Sequence, residues 1–185
     1  MGTFTKVLLG LGASGLLLTV LFATAAMGVY NDCVKNEKGI EAQYKQNQNN
    51  YDNYTKKVLE VAQVPAMYRD DLTAVTKAAI SGRYGANGSK AVFQFLKEQN
   101  PTLDSSLYVQ IQRVIEAGRN GFEADQKSLL EKKRIYDVIT GTFPNNLIAR
   151  FFGFPSEKVS KMDIVTSAET EDAFKTKKST PLKLR

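Results

Sequence analysis

No charge interrupts the run from Val7 to Asn31, VLLGLGASGLLLTVLFATAAMGVYN, which Lys6 and Asp32 close on either side. A helix rising about 1.5 Å per residue over this run is longer than the roughly 30 Å hydrocarbon core of a bilayer. Backbone groups in lipid must pair within their own segment, so the run reads as one transmembrane helix. The chain is therefore expected to divide into an N-terminal anchor over residues 1–31, a body over 32–154 and a flexible polar tail over 155–185.

Other uses of the same run fit less well. A signal peptide cleaved near Ala23-Thr24-Ala25 needs a shorter apolar region and a more basic front than MGTFTK, and apolar character resumes at Met27, Val29 and Tyr30. Gly10-Leu-Gly12-Ala-Ser-Gly15 matches a dinucleotide-binding fingerprint, with Asp32 downstream, yet the following residues have no polar face and no strand candidate appears. Small residues at Gly10 and Ser14, and at Thr24 and Gly28, instead have the spacing that lets membrane helices approach one another. Lys6 stands where myristoylation of Gly2 requires Ser or Thr, and Tyr30-Asn31-Asp32 before Cys33 is unlike a lipoprotein site.

Beyond the anchor the chain is rich in Gln, Asn, Lys and Glu and short of apolar residues for a two-layer core. Long helices buried along one stripe suit it better. The chain has no histidine and no tryptophan, and Cys33 is the single cysteine, which removes histidine chemistry, cysteine zinc sites and an internal disulfide. No metal or cofactor site is expected. Cys33 reads as a small apolar residue beside the membrane rather than an interchain link. The net charge of +6 is interleaved rather than clustered, so the expected partners are the lipid bilayer and protein, through a partner or self-association, and not nucleic acid.

From Asp32 to about Gln63 one seam repeats near every 3.5 residues: Cys33, Ile40, Tyr44, Tyr51, Tyr54, Val58 and Val61, with Glu37 and Asn47 as polar members. No proline separates the anchor from this helix, so the two are expected to be continuous. Pro65 ends it. A second helix is predicted over 66–81, with Tyr68, Leu72, Val75 and Ala79 inward and Asp70 and Asp71 in its early turns. Three glycines mark 82–89 as a loop, a short helix covers 90–98, and Asn100-Pro101 breaks it. Asn53-Tyr54-Thr55 and Asn87-Gly88-Ser89 match glycosylation acceptors only as common triplets. The strongest periodicity then steps by threes and fours through Tyr108, Ile111, Ile115, Gly118, Phe122, Asp125, Leu129, Lys132, Tyr136 and Ile139, a coiled-coil-like seam. Gly118 and Gly121 predict close approach by another helix, and Asp125 and Lys132 on the seam read either as a polar register device or as the place where the packing partner ends. Pro144 opens a last short helix that carries Leu147, Ile148, Phe151 and Phe152 on one face, with Gly153, Phe154 and Pro155 as its stop.

The segment Phe143-Pro-Asn-Asn-Leu-Ile-Ala-Arg-Phe-Phe-Gly-Phe154 resembles the C-terminal signature of the LemA family of bacterial membrane-anchored proteins. The N-terminal span ending near Tyr30-Asn31 is similar too. So are Tyr51-Asp52, Glu98-Gln-Asn-Pro-Thr-Leu103, and Arg134 with Tyr136 before the FPxN element. Asn53-Tyr54-Thr55 and Asp137 depart from the family pattern. The resemblance implies an all-α fold of long antiparallel helices behind a single inner-membrane span, without an enzymatic activity to carry over. Its motif residues Tyr51, Asp52, Arg134, Tyr136, Phe143, Pro144, Asn145, Leu147, Ile148, Phe151, Gly153 and Phe154 become the candidate interaction residues.

The expected function is that of a membrane-anchored, non-enzymatic interaction or scaffold protein. Two alternatives are an exported coiled-coil protein released by signal cleavage, and an enzyme using Tyr51, Asp52 or Arg134 in a bundle cleft. Lys35, Lys38 and Lys45 outweigh Lys6 and the amino terminus near the span, which places the body in the cytoplasm by the positive-inside rule. The two short helices together match one long helix in length. The sequence therefore suggests a three-pass body whose last long helix runs away from the membrane and delivers the FPNNLIARFFGF helix to its far end, as a cap or an exposed patch. The competing topology counts each short helix as a pass and returns the motif to the bilayer surface.

Overall fold

The computed structural model describes residues 2–64, 66–82, 87–99, 105–166 and 174–177. Pro65, residues 83–86 of the glycine loop, the Asn100–Leu103 element, and Lys178, Lys183 and Arg185 of the basic C-terminus lie outside the described residues. All regular structure among the described residues is helical: α1 (Thr3–Ala62), a 3-10 turn (Ala66–Tyr68), α2 (Arg69–Ile80), α3 (Gly88–Gln99), α4 (Ser105–Gly141), α5 (Asn145–Phe151) and α6 (Glu157–Ser160).

The apolar run and the first polar seam are one uninterrupted helix of 60 residues, as the absence of proline predicts. Its hydroxyls in the apolar part fold back on their own backbone: Ser14 donates to the Gly10 carbonyl, Thr19 to that of Gly15 and Thr24 to that of Leu21. Such bonds leave few polar side-chain groups seeking a partner outside the helix. This helix is long and apolar enough near the N-terminus to cross a membrane.

The chain divides into two compact units, Met1–Ala42 with Glu131–Met162, and Gln43–Leu130 with Asp163–Arg185. In the second, α2 and α3 pack on each other, and Val58, Ala62, Leu72, Ala79, Val92, Leu96, Ile111 and Ile115 make a continuous apolar core. α3 begins two residues before the predicted start. Gly88 there sits so close to Ala79 that a Cβ would meet that residue's backbone oxygen at 3.1 Å. The close approach expected at Gly118 and Gly121 is also present. A Cβ on Gly118 would lie 3.2 Å from Ile80, and one on Gly121 2.8 Å from the Tyr54 ring.

In the first unit, Cys33 and Ile40 of α1 and Tyr136 of α4 are buried. Residues 155–162 of this unit, assigned to a tail for their polarity, make specific contacts. Val159 of α6 is buried, Lys158 pairs with Glu41 at 2.7 Å, and the Met162 carbonyl accepts from Lys133. One buried apolar side chain, an ion pair and backbone bonding, none of which shows as periodicity, hold this stretch down.

The expected remote placement of the FPNNLIARFFGF motif is corrected. Tyr136 of α4 bonds Glu37 of α1, and Phe152 and Phe154 meet the ring of Tyr30 at the end of the apolar run. The three-pass length argument fails because α2 and α3 lie against each other, so together they do not make one long return pass.

Candidate interaction surface

Polar side chains on the long seams pair with each other in both units. In the second unit, Asn47 donates to the Asp125 carbonyl at 3.0 Å, Asn50 to the Asp125 carboxylate at 2.9 Å, and Ser128 to Gln43 at 3.0 Å. Asn47 is nearly buried, so its bond meets the desolvation cost of an amide, and a one-step slip would break it. Asp125 thus bonds across to two residues of the first seam, as a register point would. In the first unit, the Tyr136 hydroxyl donates to Glu37 Oε1 at 2.7 Å, and the Ser156 backbone N–H donates to the same oxygen at 2.7 Å. Burial first, and then the Glu37 carboxylate, push the Tyr136 phenol far above its ordinary range, so it stays a donor. Burial likewise raises the Cys33 thiol, with Glu37 and Asp32 adding to the effect. Wholly buried, Cys33 offers no thiol surface to another chain.

Each of the motif residues proposed for a catalytic cleft has a partner of its own. The Tyr51 hydroxyl donates to the Lys77 carbonyl at 2.7 Å, its ring packs on Phe122, and burial raises its phenol. Asp52 pairs with Lys56 one turn on at 2.7 Å, and the hydrogen bond from that ammonium holds its carboxyl below the usual range. Arg134, in the other unit, makes two bonds to Glu131, at 2.9 and 2.6 Å. Among the described residues no group of three or more acidic or thiol side chains is placed to hold a metal.

The remaining motif residues form one local feature. α5 ends in a Schellman cap. The Phe154 N–H reaches the Ala149 carbonyl at 2.9 Å, the Gly153 N–H reaches that of Arg150 at 3.0 Å, and Gly153 has φ +80°. The predicted stop is thus correct in detail, while Pro144 takes the N-cap position rather than the first helical one, just before Asn145. Ala149 is the buried residue of this helix. Phe143, Leu147 and Phe151 point outward, with 79%, 61% and 85% of their surface exposed. With Pro144, Ile148 and Phe152 they share a groove of about 510 Å³ whose other wall is Phe22 and Ala26 of α1. Its lining is almost wholly apolar.

Sequence reasoning found the apolar helix but missed this juxtaposition, and also missed Glu37 as the residue joining Tyr136 to Ser156. The signal for the second was a carboxylate on a buried seam. For the first it was the equal apolarity of the end of the uncharged run and the motif. Neither a protein-family model, nor a curated protein, nor a solved structure matches this chain.

Proposed function

We propose that this protein is a membrane-anchored, non-enzymatic interaction protein of the LemA type. Residues 1–31 span the bacterial inner membrane, and a cytoplasmic body of antiparallel long helices continues from the span. The observation that carries the reading is the groove in which the outward apolar side chains of α5 and the anchor residues Phe22 and Ala26 form one surface. A large exposed apolar patch is a surface for association, with a bilayer or with protein, rather than for solvent. The antiparallel arrangement is supported in the second unit by the α4 partners of Gln43, Asn47, Tyr51 and Tyr54. These are Ser128, Asp125, Phe122 and Gly118, so the numbers fall on one helix as they rise on the other. The non-enzymatic part is supported by the local pairing of Tyr51, Asp52 and Arg134, each of which holds its polar atoms in a helix-local or backbone contact.

Fractionation of cells expressing the full chain tests the reading. The protein should stay with membranes through alkaline carbonate washing, and protease added to spheroplasts with the outer membrane opened should leave the body whole. A soluble species beginning near Ala26 would support the exported alternative instead, and digestion in spheroplasts would reverse the orientation.

A further inference from the structure

We propose that the outward face of α5, built on Phe143, Leu147 and Phe151, lies in the interfacial layer of the same bilayer that the N-terminal helix crosses. The inference rests on the anchor reading and adds a second, non-spanning membrane contact to it.

The helix is inverted relative to an ordinary surface helix, which turns its apolar stripe toward the core. Here the small Ala149 faces inward and is wholly buried, while Leu147 and Phe151, each about 160° away around the helix, face out. The N-terminal cap carries no charge, and Arg150 in the last turn is an exposed cation beside the apolar face, suited to lipid phosphate. The occupant is set by height. About twenty residues at 1.5 Å each cross a hydrocarbon core of about 30 Å, so a span beginning at Val7 reaches the far boundary near Ala26. Ala26 and Phe22 are the α1 residues that share the groove with α5. The helix therefore stands at the depth of about 5–10 Å that interfacial helices occupy below the headgroups. Tyr30, one turn beyond Ala26, meets Phe152 and Phe154 edge-on at 5.2 and 5.7 Å. Tyrosine at headgroup level is where aromatic anchors of membrane helices collect. Phe22 is itself two-thirds exposed, so the lipid that covers it would extend over α5 without a break.

The test uses the full chain with Cys33→Ala, reconstituted in phosphatidylcholine–phosphatidylglycerol vesicles. A single environment-sensitive fluorophore is attached through Phe151→Cys, Leu147→Cys or Leu17→Cys. Lipids carrying a nitroxide high on the acyl chain should quench the labels at 151 and 147 more than lipids carrying it deep. Aqueous iodide should leave both bright, and the label at 17 should respond most to the deep nitroxide. Should the labels at 151 and 147 be quenched by iodide and not by lipid while the label at 17 is quenched by lipid, the interfacial contact is refuted and the anchor stands. If the label at 17 also answers only to iodide, the anchor reading falls, and this inference with it. Shielding of 151 and 147 from both quenchers, lost on dilution into excess vesicles, would place a second copy of the chain on the face and overturn the proposal.

Discussion

Replacing Tyr136 by Phe isolates a single hydrogen bond. Tyr136 is 2% exposed, so the aromatic ring keeps its burial and only the hydroxyl is lost. That hydroxyl donates to the Glu37 carboxylate at 2.7 Å, and a bond to a charged acceptor is worth about 1.5–3 kcal/mol. Glu37 keeps the Ser156 N–H on the same oxygen, so the carboxylate is not left bare and the lower part of that range applies. The expected loss is about 1.5–2 kcal/mol, confined to the unit that contains Glu37, Tyr136 and Ser156. Native-state hydrogen exchange of the full chain in mild detergent reads it locally. Amides from 136 to 140 and from 156 to 160 should exchange roughly ten- to thirty-fold faster, since 1.4 kcal/mol is a factor of ten. Amides of Leu72, Val92 and Ile111 in the other unit should be unchanged. In the Glu37→Leu background the same Tyr136→Phe change should have much less effect, because the acceptor is already gone. Equal effects with and without Glu37, or no acceleration in either background, would refute this account of the bond.

Gly118 and Gly121 should respond differently to added side chains. Gly118→Val forces a branched side chain against Ile80 and the Tyr54 Cβ, 3.2 and 3.3 Å from where its Cβ must stand, and should cost about 1–3 kcal/mol in a denaturant melt. Gly121→Ala meets only the far end of the Tyr54 ring, which can swing, and gains about 1 kcal/mol in helix propensity, so its melt should stay close to that of the parent. Alkaline titration followed by tyrosinate absorbance should find Tyr51 and Tyr136 ionising above the ordinary phenol range, each identified by the absorbance that its replacement with Phe removes. Because both phenols hold their protons to higher pH folded than unfolded, their contribution is intact below about pH 10 and is lost as pH rises beyond it. Stability that instead rises above that pH would contradict the sign.

The two long seams were legible because each residue type reports its own burial. Ile40, Val58, Ile111, Ile115 and Leu129 were predicted inward and are buried, and the glycines at 88, 118 and 121 mark places where another chain segment comes within contact distance. The stop of α5 was legible for the same reason, since Gly153 alone relieves the positive φ that the Schellman bonds require. The meeting of particular surfaces could not be read. Summed helix length does not distinguish a straight return from two short helices folded against each other, because the loop between them carries no length penalty visible in sequence. The inversion of α5 was hidden likewise. An apolar helix reads the same whether its apolar side is covered by the body or turned away from it, and the placement depends on the single small residue, Ala149, that faces inward. The segment after Pro155 looked like tail because its contacts are made by backbone atoms, one valine and the Lys158–Glu41 pair, none of which has a periodic signature.

The most direct measurement is the intact mass of the protein purified from washed membranes. The account predicts a chain that retains everything from the first residues through the apolar run, because Phe22 is one wall of the groove under α5 and Tyr30 holds Phe152 and Phe154. Loss of the formylated or free initiator methionine alone is compatible with it. A mature chain starting near Ala26 would remove Phe22 and the span together, leave α5 without its companion surface, and contradict the claim that anchor and motif form one membrane-facing unit.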